Sequence, residues 1–455
     1  MLPTPPRFGA GLPAADTLQQ LAEQTLARAR AHGADHAVVR VSQQHRRALL
    51  VRQGDIDTLT QNHSQRLSVT VYVGQRAGSV TTTLFSPDAV NRAVASACTL
   101  AQYGDDDPHS GLPTPAHLAT EVRDLALYDA ASPGMDEALT LARRAEQAIN
   151  DASPGRCYSE SVEIESLHSQ FILANSHGFC AGYPTSLHTL WCLALAKNGL
   201  ERQQGFRHDS QRSPLRFAAP ETLGRLTAER AVAQLGARKL TTQRCPVLFE
   251  APVAHSLILH LVSALNGHAL YLSNSFLGLC RGETIAASHL SLREDPFQPG
   301  ALASASFDAE GVAGSVRDIV SRGVAQDYFL DSYSARRLGM VTTGNAGGAY
   351  NLTVSSDATR PEDSLSALVK KMHRGLLVTA LLGEGLNPMT GDYSQGVSGF
   401  WVEHGEIQYP VAEITIAGNL KHLLLNCVAL GADAYTQDKL TCGSLLFDNM
   451  QLAGQ

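Results

Sequence analysis

The sequence predicts an α+β fold in which duplicated helix and antiparallel-strand units fill the N-terminal half and a β-rich α+β domain fills the C-terminal half. Three observations carry this expectation. Helical periodicity and strand-like runs recur twice before residue 238 in the order helix, strand, turn, strand. The polar stretch Arg238-Lys239-Leu240-Thr241-Thr242-Gln243 then breaks the pattern as a linker would. Beyond it, strand-like runs are separated by two-residue turns containing glycine, as antiparallel hairpins require. The 455 residues are 44% hydrophobic, enough for two or three cores. The expected divisions are a flexible tail at 1–15, an N-terminal region at 16–238 built from units at about 16–130 and 131–238, and a C-terminal domain at 241–455.

In order along the chain, Leu18, Leu21, Thr25 and Ala29 share one face of a helix from Thr17 to His32, with Gly33 as its stop. Strands are expected over 36–42, 47–53, 67–73 and 79–84. Ser86-Pro87-Asp88 then supplies the cap, first position and first-turn acid of a helix reaching Leu100. The second unit repeats the order, with a helix over 136–150, strands over 159–167 and 171–175, and a helix over 220–235 ending at Gly236. Downstream, hairpins are expected across Arg322-Gly323 and across His404-Gly405.

Composition excludes several classes. A net charge of −7, without any block of Lys or Arg, disfavours direct nucleic-acid binding. The eight cysteines form no CxxC pair, so neither a zinc ribbon nor a dithiol redox site is indicated, and reduced thiols in a cytoplasm fit best. The N-terminus lacks the apolar core of a signal peptide, and the greasiest stretch, residues 257–265, is too short for a bilayer. The expected location is cytoplasmic, with no membrane partner.

His255-Ser256-Leu257-Ile258-Leu259-His260 is the segment richest in possible chemistry. Five residues of α-helix turn about 500°, so the two rings point about 140° apart and do not share a face as an i, i+4 zinc pair does. On the bland reading, His260 is a core residue beside Val253, Leu257 and Ala264, with His255 nearly opposite at a surface or interface. On the sharper one, both imidazoles hold a metal with Cys442, which otherwise serves as a small buried hydrophobe. Thr343-Gly-Asn-Ala-Gly-Gly348 matches no phosphate-binding pattern and reads first as a tight turn. Asp392, Tyr393, Ser394, Trp401 and Glu403 include groups that could line a cleft, although turn and packing roles are the simpler reading. Ser394 and Ser444 lack a nucleophile elbow, which disfavours a serine hydrolase.

The chain resembles the TldD/PmbA family, and within it the TldE/PmbA branch, also labelled a modulator of DNA gyrase. The resemblance is carried by Ser332-Tyr-Ser-Ala-Arg-Arg-Leu-Gly339, Thr343-Gly-Asn-Ala-Gly-Gly348, Thr390-Gly-Asp-Tyr-Ser394, Gly399-Phe-Trp-Val-Glu403, Gly405-Glu-Ile-Gln-Tyr-Pro410 and Glu413-Ile-Thr-Ile-Ala-Gly-Asn419, with Asn175-Ser-His-Gly178 and Cys442-Gly-Ser444. It implies a cytosolic two-chain zinc metallopeptidase that degrades unfolded peptides or trims leader peptides. In such a pair the TldD-type partner holds zinc through an HExxxH motif and a late cysteine. Matched to that motif, His255 and His260 fall on the histidines, Ser256 on the glutamate that serves as general base, and Cys442 on the cysteine. The metal set in this chain is then vestigial and the zinc belongs to the partner. The resemblance also implies that Gly347, Gly348 and Tyr393 bind substrate, the glycines by letting an extended peptide lie against a sheet. Two alternatives stay open: a self-sufficient metal-binding hydrolase using His255, His260 and Cys442, and a non-catalytic peptide-binding homodimer.

Overall fold

The structure is a computed structural model and describes residues 15–454. The tail expected at 1–15 lies, apart from Ala15, outside the described residues. The first unit consists of α1 (Ala15–Ala31), β1 (His36–Arg52), β2 (Asp55–Val73), β3 (Arg76–Thr82) and α2 (Pro87–Tyr103). The second consists of α3 (Met135–Ala152), β4 (Cys157–Asn175), the short β5 (Cys180–Ala181), β6 (Pro184–Asn198), β7 (Glu201–Gln211) and α4 (Pro220–Ala233). A helix, a run of antiparallel strands and a second helix thus occur twice in the same order.

The two units form one sheet in the order β3-β2-β1-β4-β6-β7, joined where β1 and β4 run antiparallel. Their ladder extends from Val38↔Asn175 to Val51↔Val162 and has His45↔His168 near its centre. Sequence reasoning divided each central strand at a turn, yet β1 runs unbroken for 17 residues and β4 for 19. Residues 43–46 and 168–170 are polar enough to suggest loops. Because each is paired on both sides, ladder bonds satisfy its main chain and the strand continues.

All four helices cover one face of this sheet. Val39, Val41, Leu67, Val69 and Val71 are buried beneath α1 and α2, while Val162, Ile164, Leu190, Cys192 and Ala194 lie beneath α3 and α4. Strand alternation generates this layer, and each fully buried Val or Leu contributes roughly 1.5–3 kcal/mol. The third strand of each unit carries a glycine at its closest approach to the following helix. A Cβ at Gly78 would lie 2.1 Å from the Ala97 carbonyl of α2, and one at Gly205 would lie 2.2 Å from the Thr227 carbonyl of α4. The same steric solution at equivalent places supports an internal duplication more firmly than sequence identity between the units does.

The C-terminal half opens with β8 (Gln243–Phe249), α5 (Ala251–Ala264) and α6 (Gly267–Tyr271), then β9 (Leu290–Asp295), β10 (Arg317–Ser321), β11 (Val324–Ala325), α7 (Ser332–Arg337) and β12 (Asn351–Ser356). It continues through α8 (Leu365–Met372), β13 (Gly375–Leu382), β14 (Asp392–Glu403), β15 (Glu406–Asn419) and α9 (Leu420–Leu425). It ends with β16 (Cys427–Leu430), β17 (Tyr435–Gln437), β18 (Leu440–Cys442) and β19 (Leu445–Ala453). One sheet has the order β11-β10-β9-β12-β18-β17. In the other, β15-β14-β13-β8-β19-β16, an added β15–β19 pairing closes five strands into a barrel. Both expected hairpin turns are present. Arg322 (φ 48°), Gly323 (φ 79°), His404 (φ 55°) and Gly405 (φ 73°) all adopt the positive φ of a tight primed turn.

The halves are sewn together by the segment after α2. Leu118 bridges to Val312, and the Arg336 guanidinium donates to the carbonyls of His109, Gly111 and Leu112. Phe171, Phe179, Tyr183 and Phe307 pack edge to face in a core to which both halves contribute. Among the described residues no helix is long and apolar enough to cross a membrane.

Candidate functional site

Helix α5 follows β8 directly, with Glu250 at its N-cap and Pro252 in the first turn, where a missing N–H costs nothing. Its sequence is apolar almost all round, so periodicity alone does not fix its open face. In the structure that face is the stripe through Ser256, Leu259, His260 and Ser263, while Ala254, His255, Leu257, Ile258, Leu261 and Val262 are buried. The two histidines therefore exchange the places expected for them: His255 is 5% exposed and in the core, and His260 is half-buried on the open stripe.

His255 donates its Nε2 proton to the carbonyl of Tyr435 at 3.0 Å and stacks on the Tyr435 ring at 5.8 Å. Burial lowers its pKa, so the neutral Nε2–H tautomer is favoured and only Nδ1 keeps a lone pair. The Ser256 hydroxyl donates to the Val253 carbonyl at 2.9 Å, a back-bond within the helix. His260 faces the Tyr393 ring edge-on at 6.4 Å, and burial lowers its pKa as well, opposed by the charge of Glu384.

Cys442 lies on the His255 side of the helix, because its ladder partner in β17 is Tyr435. It is fully buried, its thiol donates to the Gly443 carbonyl at 3.2 Å, and burial pushes its pKa far up, which opposes the thiolate a zinc ligand must be. The fold thus brings two of the three candidate ligands to one neighbourhood and leaves His260 in another. Among the described residues no group of three or more His, Cys, Asp or Glu side chains is arranged to hold a metal ion. The Nε2–H bond leaves His255 Nδ1 with a lone pair that could ligate, but the buried Cys442 thiol and a His260 turned toward Tyr393 do not complete a zinc set with it.

Of the remaining candidates, Tyr393 adjoins His260 and the two glycines lie in a separate turn. Tyr393 is 1% exposed, its hydroxyl has no partner, and burial raises its pKa, which makes it a barrel-core residue rather than part of a cleft lining. Gly347 (φ 102°) and Gly348 (φ 110°) close a turn anchored by Asn345, whose amide donates to Glu294 at 2.9 Å and to the Gly348 carbonyl at 3.2 Å. The Tyr350 hydroxyl binds the Gly344 carbonyl, and the Ala346 N–H binds the buried Asp308, whose carboxyl is pushed up to about 7 by burial and then by the neighbouring charge of Glu310. The turn chemistry expected of this segment is what the hydrogen bonds show.

A cleft of about 600 Å³ lies between the halves, bordered by β7 and β17, the terminal strands of their respective sheets. Arg207, Asp209, Arg216, Asp438 and Lys439 give it charges of both signs, and Tyr435 connects it to His255. On its flank His208 stacks on Trp191 at 4.6 Å, with the exposed Phe206 tilted against the same indole at 5.2 Å. Sequence reasoning missed this place because its walls combine separate segments around 207–226, 298–302, 351 and 435–441. Their only local signal is the i, i+2 spacing of Phe206 and His208 on one face of β7.

Three successive parts of the chain match the PmbA/TldA metallopeptidase domains: residues 37–101 the first, 128–235 the central and 242–454 the C-terminal domain. The Escherichia coli O157:H7 metalloprotease PmbA is 38% identical over 421 residues, covering 92% of this chain and 93% of that protein. A Saccharolobus solfataricus zinc metalloprotease TldD homolog is 25% identical over 295 residues, 60% of this chain and 63% of its own length. Among solved structures, a Bacteroides thetaiotaomicron protein described as a candidate modulator of DNA gyrase superposes with a TM-score of 0.90 at 27% identity, covering 97% of this chain and 100% of that one. The three matched domains, in order along the chain, place the fold in the class that those metallopeptidase family models describe. The chain belongs to the PmbA/TldD metallopeptidase family.

Proposed function

We propose that this chain is the non-catalytic TldE/PmbA-type subunit of a two-chain zinc metallopeptidase. A TldD-type partner supplies the HExxxH motif and the zinc, while this chain helps to hold an unfolded peptide or a leader segment. The observation that carries the reading is Ser256. It stands where the motif carboxylate belongs, and its hydroxyl is spent on the Val253 carbonyl. A serine hydroxyl stays protonated near neutral pH and takes no proton from an attacking water.

The cleft between β7 and β17 suits the remaining role. Terminal strands offer main-chain donors and acceptors to an extended peptide with little regard to its sequence. All eight cysteines are free, which agrees with a cytoplasmic location, and the net charge of −7 supports peptides rather than nucleic acid as partners. Greater similarity to a PmbA-named relative than to a TldD-named one favours the same branch.

Elemental analysis of protein purified without added metal separates this reading from a self-sufficient hydrolase. The expected result is no stoichiometric zinc, with the content unchanged by Cys442→Ala. One zinc per chain, lost in that variant, would establish the hydrolase instead.

A further inference from the structure

The sheet face that the helices leave bare is positively charged at one place, against the sign of the chain as a whole. Val39 and Val41 point toward α1 and α2, so strand alternation turns Arg40 and Ser42 to the opposite face. The ladders set Ser42 between Arg66 of β2 and Phe171 of β4. With Tyr183 and Arg212 these residues border a pocket of about 730 Å³ between this face and the C-terminal half, which contributes Leu302 and Ser304. The lining holds three arginines and, among the described residues, no Asp or Glu. In a chain of net charge −7 this is a local reversal of sign.

The three guanidinia are held differently. Arg40 is exposed, stands over the Phe171 ring at 4.3 Å and makes no side-chain hydrogen bond or ion pair among the described residues. Stacking occupies the face of a guanidinium and leaves its edge, with paired N–H groups, free for a planar carboxylate. Arg212 is half-buried and donates to the carbonyls of Ser186 at 2.9 Å and Leu302 at 2.6 Å. Burial lowers its pKa to about 10, opposed only by the Tyr183 phenol. That phenol is itself pushed up to about 12 by burial, with the charges of Arg40 and Arg212 both acting against the rise. Two cations therefore converge on one phenol, and Arg66 lines the same pocket without an ion pair among the described residues. Like charges gathered in this way repel one another, and an anion among them relieves the repulsion.

We propose that this pocket binds a carboxylate of a peptide, with Arg40 and Arg66 touching the carboxylate and Arg212 as the fixed charge behind them. The site rests on the peptide-holding role proposed above and gives that role a substrate class: peptides bearing Asp or Glu side chains or a free C-terminus. Its position supports the assignment. Leu302 borders both this pocket and the cleft between β7 and β17, so the two concavities adjoin and one extended chain can enter both. Leu167 and Leu187 give the pocket apolar wall as well, which suits the methylenes that carry a side-chain carboxylate.

Fluorescence anisotropy of labelled, unstructured peptides titrated with the full chain tests the site. The reference peptide carries glutamates and a free C-terminus. A second has glutamine at those positions, a third is amidated at its C-terminus, and a fourth has both changes. The wild type is expected to bind the fourth at least about tenfold more weakly than the reference. In the double variant Arg40→Gln, Arg66→Gln that ratio is expected to fall below about threefold, and Arg40→Gln alone to give an intermediate ratio. Both side chains are exposed, so the fold is expected to persist, which circular dichroism checks. Weakened binding of the second peptide assigns the carboxylate to side chains and of the third to the C-terminus, and either result supports the site. Equal binding of the reference and the fourth peptide by the wild type, or an unchanged ratio in the double variant, would overturn the site and leave the peptide-holding role standing. Binding of none of the four would overturn both.

Discussion

Arg317→Met is expected to destabilise the protein by about 3–5 kcal/mol, because it leaves a buried carboxylate without its counter-charge. Glu294 is 1% exposed. Its Oε2 accepts from the Arg317 Nε at 2.9 Å, and its Oε1 accepts from the Asn345 amide and the Tyr350 N–H, both at 2.9 Å. The same guanidinium reaches Asp327 at 2.6 Å, the Tyr328 carbonyl at 2.8 Å and Asn345 Oδ1 at 2.6 Å. One side chain therefore ties β9, β10 and the glycine-rich turn together. Urea denaturation measures the loss. Adding Glu294→Gln to the methionine variant is expected to recover part of it, since a neutral amide is less costly to leave in the core than a lone charge. A single variant as stable as wild type would show that the network is not required for the fold.

Acidification is expected to weaken the fold through His188. Its ring is fully buried in β6, Nδ1 meets the Ser166 hydroxyl at 2.9 Å, and Nε2 has no partner. Burial, reinforced by the nearby His168, lowers its pKa to about 4. The sign follows from the ordinary histidine value of about 6.5 in the unfolded chain. Between about 6.5 and 4 the unfolded chain binds the proton that the folded one refuses, so stability is retained above that window and lost as pH falls through it. The full shift corresponds to roughly 3 kcal/mol, of which about 2 kcal/mol is lost by pH 5. Urea titrations at pH 7.5 and pH 5 are expected to show this difference in the wild type and a smaller one in His188→Gln. Equal pH dependence in both would assign the effect to other groups.

The hairpin turns at Arg322-Gly323 and His404-Gly405 were legible in the sequence because turn chemistry is local: two adjacent residues carry the whole signal. The duplicated units were legible in order but not in strand length. The polar centres of β1 and β4 are strand only because both neighbours exist, and that information lies more than 100 residues away. The histidines of α5 were exchanged for a different reason. A helix apolar on nearly every side gives no moment from which to choose its open stripe, and the choice is made by the β17 and β18 strands that cover His255. Within the candidate site, the serine at position 256 between the two histidines was readable from the sequence. Its hydrogen bond to Val253 and the proton that His255 commits to Tyr435 were not, since each depends on three-dimensional packing.

The central claim is a division of labour between two chains, and a peptidase assay on an unstructured peptide tests it most directly. This chain alone and a TldD-type chain bearing HExxxH are assayed separately and as an equimolar mixture. The account predicts no cleavage by this chain alone and cleavage by the mixture that is abolished when the partner's motif glutamate is replaced by glutamine. Steady cleavage by this chain alone, after purification to homogeneity, would contradict it.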